Sequence, residues 1–395
     1  LGLATVVQAL STFVTYGVGP LASIWQQKFM LSQTQVGLLI SVVNMGPLIS
    51  MLFIGSALDR YGERWIVGFG SLLIGLTIGL APLLSSYEAL LLLLFFVGIN
   101  YGTAQPGGSK VVVKWFDPSQ RGLAMGIRQA AIPIGGALAG WIIPLISTEY
   151  DWSIATLCQA MFAIGGGLVF LAVYRDPDIE GDNNVENYSF IEEITKLLNK
   201  KNLYPIIFSG ISLITLQMVL VAHLIPFLKS KMEHINLILA SEIWSLCLLF
   251  GMLGRIALSW LSDKVWKGNR VQPLVLTTFL AVVGVLFLVI LPKDSPTWLI
   301  FITCSWLGFF GIGWYSLFIV EIAERSNENS VGLTVSYALT LNQIAIIVAP
   351  ILFGMFVDWK HSFLWAWILI GILLSISGAW LWRINKLSSY EKSNS

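Results

Sequence analysis

Charge is scarce in this chain. Asp, Glu, Lys and Arg make up 11% of its 395 residues and nearly cancel, leaving a net charge of +1. So even a balance offers no basic field for a nucleic acid partner. Cysteine is rarer still: Cys158, Cys247 and Cys304 lie far apart, each inside an apolar run. Their spacing fits neither a metal-ligand set nor a disulfide framework. No Walker-type phosphate loop is present, so an ATP-driven pump is not supported. No group of side chains has metal or nucleophile spacing, so neither an enzyme, a cofactor nor a bound metal is expected. The first apolar segment has no basic flank or cleavage site typical of a signal peptide. The chain does not begin with Met, which points to a trimmed N-terminal tail.

Apolar residues fill the space that charge leaves. They account for 56% of the chain, with 16 Trp and a mean hydropathy of +0.78. A soluble domain of this size has no interior large enough to hide that surface, whereas each helical membrane pass needs about 20 apolar residues. The expectation is an integral membrane protein with the lipid bilayer as its solvent. Twelve spans are predicted: 2–24, 35–57, 65–84, 88–113, 122–146, 152–174, 203–228, 237–262, 271–291, 297–321, 331–356 and 361–383. Helices are required because every backbone N–H and C=O in lipid must be satisfied within its own segment. Barrel strands would alternate in polarity, and these runs are continuously apolar.

The organisation expected is an N-terminal six-helix bundle (1–174), a cytoplasmic central loop (175–202), a C-terminal six-helix bundle (203–383) and a cytoplasmic tail (384–395). Within the loop, residues 190–198 place apolar side chains at helical spacing, which predicts an amphipathic helix on the membrane surface. With both termini cytoplasmic, fifteen Lys and Arg fall inside and five outside, a clear positive-inside bias. The remaining three cations, Lys110, Arg128 and Arg255, fall within spans.

The two sets of six spans read as repeats. Pro20 pairs with Pro226, Asp59-Arg60 with Asp263-Lys264, Gly98 with Gly308, and Gly122-Leu123 with Gly332-Leu333. Parallel halves with a site between them near the bilayer midplane describe a rocking secondary transporter.

Gly55-Ser56-Ala57-Leu58-Asp59-Arg60-Tyr61-Gly62-Glu63-Arg64 is a short charged turn between two long apolar runs. It resembles the signature loop between helices 2 and 3 of the major facilitator superfamily, G-x-x-x-D-R-x-G-R-R/K. Gly55, Asp59, Arg60, Gly62 and Arg64 match, and Glu63 stands where the family usually has an Arg. A second copy keeps Asp263, Lys264, Gly268 and Arg270, with Ser259 in place of the Gly. The resemblance implies the twelve-helix fold and a gating role for both loops, the Asp latching against the start of helix 11. A positive-inside turn alone explains Arg60 and Arg64 but not Asp59 or the glycines. Pro106, Lys110, Trp115-Phe116-Asp117-Pro118 and Arg121-Gly122-Leu123-Ala124-Met125-Gly126 resemble a pattern common among members that carry small anions and carboxylates. The Gly254-Arg255 pair resembles monocarboxylate and oxalate-type carriers, in which a helix-8 Arg faces the substrate.

An Arg near the bilayer centre costs roughly 2.5–3.5 kcal/mol on insertion scales, so it should face a cavity or a partner. Arg255 and Arg128, one in each half, are therefore the candidate grips for an anionic small-molecule substrate, since Arg holds carboxylates bidentately. For Arg128 a snorkelling or helix-end role competes with this reading, and for Lys110 snorkelling is favoured. Tyr16, Asn44, Asn100, Tyr101, Gln129, Gln217, Trp314, Tyr315, Tyr337, Asn342 and Gln343 are candidates to line the pocket, each weighed against a helix-packing role. His223 and Glu321 are the candidates for coupling protons, against packing and ion-pair roles respectively. The reading is a monomeric secondary transporter of a small mono- or dicarboxylate-like anion in the cell membrane. Its rivals are a multidrug or metabolite exporter and a non-transporting membrane sensor or scaffold.

Overall fold

A computed structural model describes residues 1–104, 107, 118–175, 203–266, 269–325 and 331–393. Side chains are described for all of these except 51, 52, 55, 56, 59, 118–126, 331–333, 336 and 387–393. The predicted amphipathic helix and Lys110 lie outside the described residues, as do Pro106 and Trp115–Asp117.

Among the described residues every regular element is helical. In chain order they are α1 (Gly2–Phe29), α2 (Gln33–Ile78), α3 (Tyr87–Tyr101), α4 (Pro118–Glu149), α5 (Trp152–Val173) and α6 (Tyr204–Lys231). There follow α7 (Leu237–Lys264), α8 (Val271–Ile290), α9 (Thr297–Gly313), α10 (Tyr315–Glu324), α11 (Val331–Lys360) and α12 (Phe363–Ser393). Among the described residues, ten helical stretches are long and apolar enough to cross a membrane, α9 and α10 counting as one. The shorter apolar α3 and the first limb of α2 complete twelve passes. The protein is thus an all-α, multi-pass membrane protein.

The boundaries follow local chemistry. Ser32 and Gln35 form a reciprocal capping box at the start of α2, satisfying two N–H groups that the helix leaves open. Ser86 caps α3 and Asp151 caps α5 in the same sense. Gly62 joins the two limbs of α2 with φ 78° and ψ 165°, a backbone state open essentially to glycine alone. The charged turn expected between residues 57 and 65 is therefore helical up to a single-residue kink. α3 stops at Tyr101, well inside the span expected to reach 113. α12 continues as helix to Ser393, through most of the segment expected as a tail.

Packing divides the chain into two units. The first comprises Leu1–Ile179 with Val219–Leu249 and Ile347–His361. In it α1 packs on α4, and α2 on α3 and α5. The second comprises Glu180–Met218, Phe250–Ile346 and Ser362–Ser395. There α8 packs against α9, α10 and α12. Trp25, Trp244, Trp314 and Trp367 are fully buried, whereas Trp141, Trp298 and Trp382 are exposed with many Leu, Ile and Phe side chains. An apolar exterior of this kind is what a lipid-facing surface requires.

Candidate functional site

Arg255 is built into an interruption of the tenth pass. The helical hydrogen-bond ladder between α9 and α10 is interrupted at Trp314, although its backbone keeps right-handed helical angles. Gly254 lies directly against this point. A Cβ at Gly254 would sit 2.2 Å from the Phe309 carbonyl oxygen, and one at Gly313 would sit 2.8 Å from the Gly254 backbone. The Gly254-Arg255 pair is explained by this approach: the missing side chain lets α7 touch α9, and the next residue reaches the interruption. Arg255 is 6% exposed, donates Nε–H to the Ile312 carbonyl at 3.4 Å, and lies 5.2 Å from the Tyr315 ring centroid. That distance is within cation–π range.

From Tyr315 the contacts run on through the second unit. Trp314 packs edge-on against Tyr315 and Phe318, with centroids 5.5 and 5.4 Å away. The Phe318 ring and the Asn342 amide oxygen both crowd Gly210 of α6. Gln217 lies seven residues further along α6, on the same face and about 10 Å away by helical rise. Three buried groups here have polar atoms with no hydrogen-bond partner among the described residues: Gln217 Oε1, Trp314 Nε1, and both amide atoms of Asn342. Buried polar groups are normally satisfied, and Trp314, which packs on the Tyr315 ring that faces Arg255, is the one of the three linked to the guanidinium through that ring.

The first unit holds the remaining candidates and separates some of them. Arg128, 1% exposed on α4, donates Nη2–H to the Ala104 carbonyl at 3.4 Å, just beyond the end of α3. Both arginines thus serve a carbonyl where a pass is interrupted, shortly after the paired glycines Gly98 and Gly308. Gln129, the next residue along α4, is half-buried. The Tyr101 hydroxyl meets Gln8 Nε2 and Thr12 Oγ1 of α1, each at 3.2 Å. Asn100 points elsewhere: its amide donates to the Phe96 carbonyl, and it lines a groove with Tyr61, Trp65 and Phe69. Tyr16 is half-buried, its ring against Gly136. His223 is fully buried, its Nε2 2.9 Å from the Pro350 carbonyl oxygen and its ring against Phe353. Glu321 is buried and ion-paired with Arg325.

The described side chains of the charged turns make contacts within their own units. Arg60 is exposed over the Tyr61 ring; Arg64 donates Nε–H to the Leu171 carbonyl at 2.7 Å; Glu63 is fully buried. Gly55 and Asp59 lie on the first limb of α2. In the second copy, Arg270 pairs with Asp263 and with Glu324 at 3.5 Å, tying the end of α7 to the end of α10. Lys264, the last residue of α7, is exposed.

Sequence reasoning missed several groups, some buried and one half-buried. Gln159 of α5 donates to the carbonyls of Phe13 and Val14 at 3.0 and 3.2 Å. Gln8 and Thr12 carried a usable signal, four residues apart on one face of the first span. Asp358 carried none, because its partners are more than 300 residues away: its carboxylate accepts from Gln33 N–H at 2.9 Å and Thr34 N–H at 2.7 Å.

Similar folds and sequences are known. A bacterial homologue of the human lysosomal transporter Spinster, solved in an inward-facing, unoccupied conformation, superposes with a TM-score of 0.80. The two are 15% identical, over 96% of this chain and 95% of that one. A hexuronate transporter of Bacillus subtilis (strain 168) is 24% identical over 361 residues, 88% of this chain and 84% of the relative. A protein of Escherichia coli (strain K12) named as a probable L-galactonate transporter is 26% identical over 376 residues, 88% of this chain and 80% of the relative. Residues 4–350 match the family description of the Major Facilitator Superfamily, and the chain belongs to that superfamily of membrane transporters.

Proposed function

We propose that this transporter carries a small hydroxylated carboxylate of the sugar-acid class, with Arg255 as the group that grips the carboxylate. The observation that carries the reading is the Arg255 guanidinium beside Tyr315, within one chain of contacts that reaches Trp314 and Asn342. A guanidinium presents its N–H donors in a planar fork that matches a carboxylate. Unsatisfied amide and indole groups suit hydroxyls, and aromatic faces suit the C–H faces of a sugar ring. The relatives named for hexuronate and L-galactonate fall in the same chemical class. Arg128 is the corresponding candidate of the first unit, set against the Ala104 carbonyl.

Transport would proceed by alternating access, the two six-helix halves rocking about the site. The positive-inside bias supports cytoplasmic termini, with the end where α1 meets α2 facing outward. The protein works as a monomer, with Asp59 and Asp263 in cytoplasmic gating turns. His223 is the candidate proton carrier, and Glu321 is second to it because it already holds Arg325. A thermal-shift screen of the purified protein tests the substrate class. Hexuronates and aldonates should raise the melting temperature, whereas the matching neutral sugars and amphiphilic cations should not. Stabilisation by the cations instead would favour an exporter. Replacing His223 by Gln should flatten the pH dependence of uptake if it carries the proton, and leave the profile unchanged if it does not.

A further inference from the structure

Two helices far apart in sequence meet end to end in the first unit. Asp358, two residues before the end of α11, accepts hydrogen bonds from Gln33 N–H, Thr34 N–H and the Thr34 hydroxyl. The first turn of α2 has no acidic residue of its own, so its positive end is served from α11. One and two turns deeper, α11 turns its backbone toward α2. A Cβ at Gly354 would sit 2.3 Å from the Gln33 carbonyl oxygen, and a Cβ at Gly37 would sit 2.3 Å from that of Pro350. The same Pro350 oxygen lies 2.9 Å from His223 Nε2 of α6. Three passes are thereby closed against one another at the end where α1 joins α2.

We infer that Asp358 is the latch of the gate at this end: its carboxylate holds the start of α2 when the gate is shut, and the contact must break for the gate to open. The inference rests on the alternating-access reading, because α2 belongs to the first six passes and α6 and α11 to the second six. A fixed structural cap would hold equally well in every state, and a latch would not. The geometry suits release. Glycine-to-backbone contacts supply shape without strong bonding, and the Asp358 carboxylate adds three hydrogen bonds to the start of α2. The carboxylate is already half-exposed, so water can replace its hydrogen bonds at small cost.

The test uses the full chain in lipid nanodiscs, with Cys158 and Cys247 replaced by Ala and Cys304 retained. Ser41, fully buried one turn below Gly37 and hydrogen-bonded to its carbonyl, is replaced by Cys as a reporter. Cys304, fully buried in the second unit, reports global unfolding. A water-soluble maleimide should label the reporter about fivefold faster in Asp358→Asn than in the parent, because Asn keeps one acceptor oxygen but loses the negative charge at the start of α2. Cys304 labelling should not change. Thr34→Val, which removes a single donor, should give a smaller rise in the same direction and serves as the test if Asp358→Asn does not fold. Unchanged reporter labelling, or a parallel rise at Cys304, overturns the latch. Because no substrate is used, failure of the sugar-acid assignment would leave this result standing. A flat labelling result in a protein that transports would remove the latch alone.

Discussion

Gly254 gives the sharpest structural prediction, because the space it leaves is filled by backbone. A Cβ there would lie 2.2 Å from the Phe309 carbonyl oxygen and 3.0 Å from Gly313 Cα. Ordinary contact begins near 3.4 Å, so α7 and α9 must part by about 1 Å to admit an alanine. Neither obstacle is a flexible side chain that can swing aside. Overpacking of this kind costs roughly 1–3 kcal/mol. The parting also acts on Arg255, whose 3.4 Å bond to Ile312 is already at the limit of hydrogen-bond length. Gly254→Ala should therefore lower the melting temperature and raise the KM for transport of a hexuronate about tenfold, equivalent to about 1.4 kcal/mol of lost interaction. Gly165→Ala is the matched control, since a Cβ at that helical glycine meets nothing within 4 Å. The assay is initial uptake into proteoliposomes, with thermal unfolding of the same preparations. A Gly254→Ala protein that melts like the control and transports with wild-type KM would refute the claimed contact between α7 and α9.

Two further perturbations probe the scaffold. Gly62→Ala places a side chain on a backbone at φ 78° and ψ 165°, which should cost about 1–3 kcal/mol in thermal unfolding and slow transport through the adjoining charged turn. Asp151, which caps α5, has its carboxyl held below the usual range, chiefly by the hydrogen bond from the Ser153 hydroxyl and against a small desolvation. A lowered folded-state value means that its stabilisation is present at neutral pH and fades as pH falls through that value. Asp151→Ala should lower the melting temperature at neutral pH and converge with wild type in acid; a constant gap across the series would contradict the cap.

The membrane class, the twelve passes and the family were legible because each rests on local information. Run length, a positive-inside bias and a signature of ten residues need no knowledge of distant contacts. Arg255 was legible for the same reason, since a lone guanidinium in an apolar run demands a cavity or a partner. What it bonds to was not: the interruption at Trp314 lies more than 50 residues away and shows in the sequence only as neighbouring glycines, Gly311 and Gly313. Gly62 was picked out by the motif, yet the motif did not reveal that this residue alone carries the reversal. Asn100 and Tyr101 looked equivalent in sequence, and their neighbouring positions on α3 aim them at different surroundings. Asp358 drew no reading from the sequence, and only the fold brings α2 to it. Groups such as Gln159 and Asp358 make their contacts over more than a hundred residues, a separation at which periodicity carries no information.

The central claim is that Arg255 grips the carboxylate of a transported sugar acid. The most direct measurement is counterflow of a radiolabelled hexuronate in proteoliposomes containing wild type, Arg255→Ala or Arg255→Lys, with folding checked by size-exclusion chromatography. Wild type should exchange. Arg255→Ala should fall to the protein-free background while remaining folded. Arg255→Lys, which keeps the charge but loses the bidentate fork, should lie between them. Wild-type exchange by a folded Arg255→Ala protein would contradict the account.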